Sequence, residues 1–298
     1  MTPVPSSDTG AAAESLLGAT PPGPAARAIA LVAAASAVVG VAVGLLVWLL
    51  LAGPVVALVL TIVVAAGVAA LAWWGSEALI LRLVRATPAE PVAHARLFNL
   101  VEGLGANAGV APPTLLVVAD PGLNAMTMGR SPRRATLIVT SGLLEQLNRV
   151  ELEGVLAHEL SHVRSDDMLA ATVAVALFGV WARPARAATT ASLSGMLATL
   201  LVPICALAGI GLQKSVDANR EQRADAAGVR LTRYPPGLVA ALEKLRQSGT
   251  VLAAASPATA HLWLGAALPP PGGRLAWLSR LYETHPSPDE RIEALREL

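Results

Sequence analysis

The chain has 298 residues, a formal net charge of +1, 54% hydrophobic residues, 14% charged residues and only 3% aromatics. So apolar a composition exceeds that of ordinary soluble domains and is carried by Ala, Leu and Val, which places part of the chain in lipid. A near-zero charge without a basic stripe excludes an electrostatic nucleic-acid binder; the single cysteine, Cys205, excludes an intrachain disulfide and reads as a small buried hydrophobe in an apolar run.

Residues 1–26 are rich in Pro, Ala, Gly, Ser and Thr, show no hydrophobic period, and predict a disordered tail. Two uncharged apolar runs follow, 28–52 and 55–74, separated by Gly53-Pro54. Each is long enough to cross about 30 Å of hydrocarbon, which predicts a transmembrane helical hairpin over 27–85. The first run is too long for the core of a cleaved signal peptide, and no basic residue except Arg27 precedes it. Arg27 lies ahead of the hairpin and Arg82 and Arg85 behind it, while the turn is uncharged, so both ends are expected in the cytoplasm. The expectation is a multi-pass protein of the inner (plasma) membrane whose residues 86–298 work on the cytoplasmic side.

Val92, Leu97, Leu100, Val101 and Leu104 recur at helical spacing over 90–105, before Gly105, Gly109 and Pro112-Pro113 break the pattern. Runs 114–118 and 136–140 read as strands; between them 123–128 and the turn-like Gly129-Arg130-Ser131-Pro132 fit a hairpin in a small sheet. A helix over 149–166 opens on Asn148 as cap, with Glu151 three residues on. Apolar runs at 168–181 and 193–212 come next. The second is long enough to span; the first is short enough for a buried or re-entrant helix, and Arg183 and Arg186 in the intervening loop favour the cytoplasm. Polar helices over 219–231 and 236–247, a loop at 268–273 and a charged helix from Pro286 complete a mostly helical α+β chain.

His158-Glu159-Leu160-Ser161-His162 is an H-E-x-x-H segment. Leu152, Val155, Leu156, Leu160 and Val163 form an apolar stripe of its helix, and the two histidines share a different face one turn apart. Two such imidazoles can bind one tetrahedral zinc ion, and Glu159 beside the first can act on a water as general base without ligating the metal. A catalytic zinc needs a third protein ligand. Glu221 and Asp225, at i and i+4 of a later helix, supply candidates: Glu221 to ligate, Asp225 to orient a ligand histidine. By itself that later segment is an ordinary solvated helix.

In the order and spacing of its pieces the chain resembles the M48 family of membrane metallopeptidases, in particular its HtpX-type heat-shock proteases. The pieces are the amino-terminal hairpin, Leu123-Asn124-Ala125-Met126, the segment 157–167, the segment 220–225, and His285-Pro286 with Glu290-Arg291-Ile292. The resemblance implies a zincin-like metalloprotease domain over 86–298, interrupted by the apolar helices near 168–181 and 193–212. It also implies one Zn2+ per chain on His158, His162 and Glu221, and substrates drawn from membrane or misfolded proteins. Through it alone, Asn124 and Ala125 gain a role in binding substrate backbone by strand addition, His285 a role near the oxyanion, and Arg291 a carboxylate partner. The family carries an aromatic residue where this chain has Met126. His94 and His261 sit in no motif and read as non-catalytic.

Two other readings fit the sequence less well. A membrane scaffold with a structural or absent metal fits poorly beside Glu159 and an open fourth position, since structural zinc sites are closed by four protein ligands. A transporter predicts polar groups inside the spans, and the two amino-terminal runs hold only Ser36 and Thr61 beside small residues.

Overall fold

The computed structural model describes residues 23–50, 53–179, 206–208, 210–211, 219–249, 251–268, 277 and 286–298. The expectations for the tail before residue 23, for the loop with Arg183 and Arg186, for Cys205, for residues 269–273 and for His285 lie outside the described residues.

Two long helices make the hairpin. α1 spans Pro24–Leu50, starting inside the stretch expected as a tail because proline suits the first turn of a helix. α2 runs Pro54–Val84, with Gly53 extended ahead of it and a π-helical turn at Leu71–Gly75. It continues ten residues past the predicted end at Trp74 and stops where Arg85 turns left-handed at φ 54°. Its partner packs close because it lacks side chains at two places. A Cβ on Gly44 would meet Thr61 Oγ1 at 1.8 Å, and one on Gly40 would meet the Thr61 carbonyl oxygen at 2.6 Å, the small-xxx-small contact of membrane helix pairs. Leu46, Leu49, Val55, Leu58 and Ile62 face outward and exposed. That arrangement is costly in water and costs nothing in hydrocarbon.

A four-stranded sheet has the order β1-β2-β4-β3, with β1 Thr87–Pro88, β2 Thr114–Val118, β3 Ala125–Gly129 and β4 Ala135–Thr140. β3 and β4 form the expected antiparallel hairpin, and β4 pairs in parallel with β2. Gly129 closes the turn at φ 152°, where an added Cβ would lie 2.6 Å from the Arg134 carbonyl oxygen. Alternation sorts the side chains. Leu115, Val117, Ala125, Leu137 and Val139 enter one apolar layer; Leu116, Val118, Met126, Met128 and Ile138 enter the other.

The first layer is built on α3 (Ala95–Ala108) and α5 (Arg149–Ser165), which follows the short α4 (Ser141–Gln146). The second holds Ile80 and Val84 of α2, Ala171 and Val175 of α6 (Met168–Leu177), and the segment 252–267. The described part of the first apolar run, Met168–Leu177, is a helix buried against its neighbours. Leu169, Val173 and Leu177 pack on Ala28 and Val32 of α1 and Ala72 of α2. After it come α7 (Arg220–Thr232), α8 (Pro235–Ser248) and α9 (Pro288–Arg296), the last capped by Ser287, whose hydroxyl accepts from the Glu290 amide.

α5 carries the central motif. Asn148 accepts from the amides of Val150 and Glu151, and Glu151 accepts in return from the Asn148 amide, a capping box contributing about 1 kcal/mol. The sequence reading gave this helix one buried stripe; instead every residue from Leu152 to Val163 except the half-buried Glu153 is buried. The reason is tertiary. Apolar residues of the sheet and α3 cover one side, while α7 and α8 press on others, with Gly228 against His158 and Gly154 against Leu238.

Candidate metal centre and active site

One helical turn on α5 brings His158 and His162 together, and α7 lays Glu221 across them. His158 Nε2 stands 3.2 Å from His162 Nε2 and 3.4 Å from Glu221 Oε2; His162 Nε2 stands 3.7 Å from Glu221 Oε1. One ligand atom from each falls within 4.8 Å of the others, and all three residues are buried.

The other nitrogen of each ring donates to a carboxylate. His158 Nδ1–H donates to Asp225 Oδ1 at 2.8 Å and His162 Nδ1–H to Asp167 Oδ1 at 2.9 Å. A carboxylate can only accept, so in the neutral rings the lone pairs sit on the two Nε2 atoms that face each other. Two ligands about 2.0–2.1 Å from a tetrahedral zinc stand about 3.3–3.4 Å apart, close to the spacing found. Charge points the same way. Glu159, Glu221 and Asp225 bring three buried carboxylates, and Asp167 a half-buried fourth, against the guanidiniums of Arg220 and Arg291, an acidic balance that favours a cation or a proton between them. The donor set fits a divalent metal.

Asp225 is itself anchored. Arg291, from α9, donates through Nε to Asp225 Oδ2 at 2.8 Å and through an Nη to Oδ1 at 2.7 Å, while its other Nη donates to the Leu264 carbonyl. Burial alone raises a carboxyl pKa, but Arg291 and His158 outweigh it and hold Asp225 below its usual range. Asp167 is likewise held down, mainly by His162, against the effect of burial. His158 shows the converse: burial pulls its pKa down, yet the charge of Asp225 and hydrogen bonds donated to Asp225 and Glu221 raise it to about 9. A metal at this position competes with a proton.

Glu159 is buried on α5 and faces β3, where its Oε2 accepts from Thr127 Oγ1 at 2.7 Å. Asn124 and Ala125 lie at the start of β3, whose outer edge is already occupied. Leu264 N–H donates to the Ala125 carbonyl, the Asn124 amide both donates to and accepts from the Gly265 backbone, and Met126 bridges Trp263. The Asn124 side chain and the Ala125 carbonyl are thus bonded to the chain's own 263–265, while the Asn124 backbone pairs with Thr140. His285 lies outside the described residues. His94 pairs with the nearby Glu90 backbone amide, and His261 Nε2 donates to the Ala171 carbonyl; both stand outside the cluster.

Sequence reasoning missed three residues. Asp167 reaches His162 only because Asp166 ends α5 left-handed at φ 56°. Thr127 was legible as a position alternating with Met126 and Met128. Gly228 lets α7 touch α5, since a Cβ there would meet His158 N at 2.9 Å.

The profile described as Peptidase family M48 matches residues 91–298. A Protease HtpX homolog of Desulfatibacillum aliphaticivorans is 34% identical over 248 residues, covering 78% of each chain. Another from Tropheryma whipplei (strain TW08/27) is 34% identical over 252 residues, 80% of this chain and 84% of that one. A third, from Thermococcus sibiricus, is 34% identical over 242 residues, 76% and 81% of the two chains. Among solved structures, that of S. mikatae Ste24p aligns at a TM-score of 0.41 and 18% identity over 75% of this chain and 58% of that one, less than two thirds of its length.

Proposed function

We propose, for a chain that belongs to peptidase family M48, that it is a membrane-embedded zinc endopeptidase with His158, His162 and Glu221 as metal ligands and Glu159 as general base. The observation that carries this reading is the convergence of those three donors, with each imidazole held by a carboxylate and Glu159 one residue from the first ligand. When bound, the zinc supplies a Lewis acid that acidifies water and polarises a carbonyl.

The remaining chemistry belongs to the protein. Glu159 takes a proton from the attacking water and returns it to the leaving amine, so no covalent intermediate is needed. Asp225 and Asp167 keep the two imidazoles in the tautomer that leaves Nε2 free to ligate, and Arg291 fixes Asp225. Asn124 and Ala125 take the substrate backbone where 263–265 now sit, which requires that segment to yield; His285 steadies the oxyanion. The hairpin 27–85 anchors the catalytic part, 86–298, to the cytoplasmic face of the inner membrane, with lipid around its exposed apolar side chains. Protein or peptide substrates, including misfolded membrane proteins, follow from that position.

The test uses full-length protein purified in detergent, with metal content and casein cleavage measured for wild type, Glu159→Gln and Glu221→Ala. One zinc per chain with activity only in wild type, full zinc in Glu159→Gln and depleted zinc in Glu221→Ala is expected. Undiminished cleavage by Glu159→Gln removes the base assignment, and unchanged zinc in Glu221→Ala removes the third ligand.

A further inference from the structure

A general base works on a water only if its carboxylate is aimed, and a glutamate has three rotatable bonds to settle. The backbone of α5 sets where Glu159 starts but not the plane of its carboxylate. One hydrogen bond to that carboxylate comes from the sheet. Met126 and Met128 belong to the layer on the far side of β3, so strand alternation leaves Thr127 between them turned toward α5. Its hydroxyl stands 2.7 Å from Glu159 Oε2 and 3.4 Å from the Glu159 carbonyl oxygen, with both residues buried.

We propose that Thr127 is a positioning residue for Glu159, its hydroxyl holding Oε2 so that Oε1 is directed at the water. The inference rests on Glu159 being the base. Threonine suits the task because its branched Cβ restricts χ1, so little rotamer freedom is lost in forming the bond. The hydroxyl can do nothing else for the carboxylate than donate, and a donor to a buried charged acceptor is among the stronger hydrogen bonds. The sheet thus contributes to catalysis through a side chain that contacts neither metal ligand nor, on this reading, substrate.

The experiment compares Thr127→Val, which keeps shape and loses the donor, with Thr127→Ser, which keeps the donor. Full-length zinc-loaded protein is assayed for kcat and KM on a fluorogenic peptide, with zinc content measured in parallel. Thr127→Val is expected to lower kcat on the order of tenfold to a hundredfold, leaving KM and zinc unchanged, and Thr127→Ser to stay within a few-fold of wild type. An undiminished kcat in Thr127→Val, an equal loss in both variants, or loss of zinc in Thr127→Val overturns the proposal, the last two because they mark a packing role. Glu159→Gln separates the two claims. If it is inactive while Thr127→Val is undiminished, only the role of Thr127 falls; if it is active, the base assignment itself falls.

Discussion

Replacing Gly228 by alanine tests whether the contact between α5 and α7 sets the metal geometry. The added Cβ would stand 2.9 Å from His158 N and 3.1 Å from His158 Cα, where ordinary contact begins at 3.4 Å. Both atoms are helix backbone and cannot swing aside as a side-chain tip would, so the helices must part by about half an ångström, an overpacking that costs about 1–3 kcal/mol. Alanine recovers up to about 1 kcal/mol through its better helix propensity, so the metal-free protein is expected to lose only about 1 kcal/mol. Metal binding is hit harder. Glu221 rides on α7 and His158 on α5, and a half-ångström displacement exceeds the tolerance of about 0.2 Å for metal–ligand distances. Zinc affinity is expected to fall about tenfold to a hundredfold, read by competition against a chelating indicator, with thermal unfolding in chelator as the stability control. Wild-type zinc affinity in Gly228→Ala would refute the claim that backbone contact at this point holds the ligands in register.

Asp167→Asn keeps the size of the side chain but gives His162 Nδ1 a weaker and ambiguous partner. Zinc affinity should drop about tenfold to a hundredfold, and an unchanged value would show that His162 needs no carboxylate. The pH dependence of metal binding follows from His158, which must lose its proton to ligate. With its pKa raised from 6.5 to about 9, apparent zinc affinity should rise about tenfold per pH unit from about 6.5 to 8.5; a flat profile would exclude that competition. The sign reverses for the metal-free protein. A raised folded-state pKa stabilises below the unfolded value of 6.5 and that stabilisation is lost as pH rises through about 9, so chelator-treated protein should become less stable over this window. Constant stability across it would contradict the ion pair of His158 with Asp225.

Several features of this protein are local and therefore readable along the chain. Apolar runs around Gly53-Pro54 determine two long helices by length and composition, because a helix satisfies its own backbone and lipid asks only for apolar side chains. The capping box at Asn148 and Glu151, the hairpin turn at Gly129, and the one-turn spacing of His158 and His162 depend on neighbours within four residues or so. Other features exist only once distant segments meet. The sequence offered Glu221 and Asp225 as candidates, but whether α7 lies against α5 depends on an absent side chain at Gly228. Arg291 reaches Asp225 across 66 residues of chain, and the edge of β3 is covered by 263–265 from far downstream. Burial on every face of α5 comes from helices and a sheet that the pattern of α5 cannot announce. Sequence by itself determined the elements, the motif and the chemistry its residue types can perform; tertiary structure decided which carboxylate serves which imidazole and which hydroxyl aims Glu159, because those are contacts between segments whose separation leaves no periodic trace in the chain.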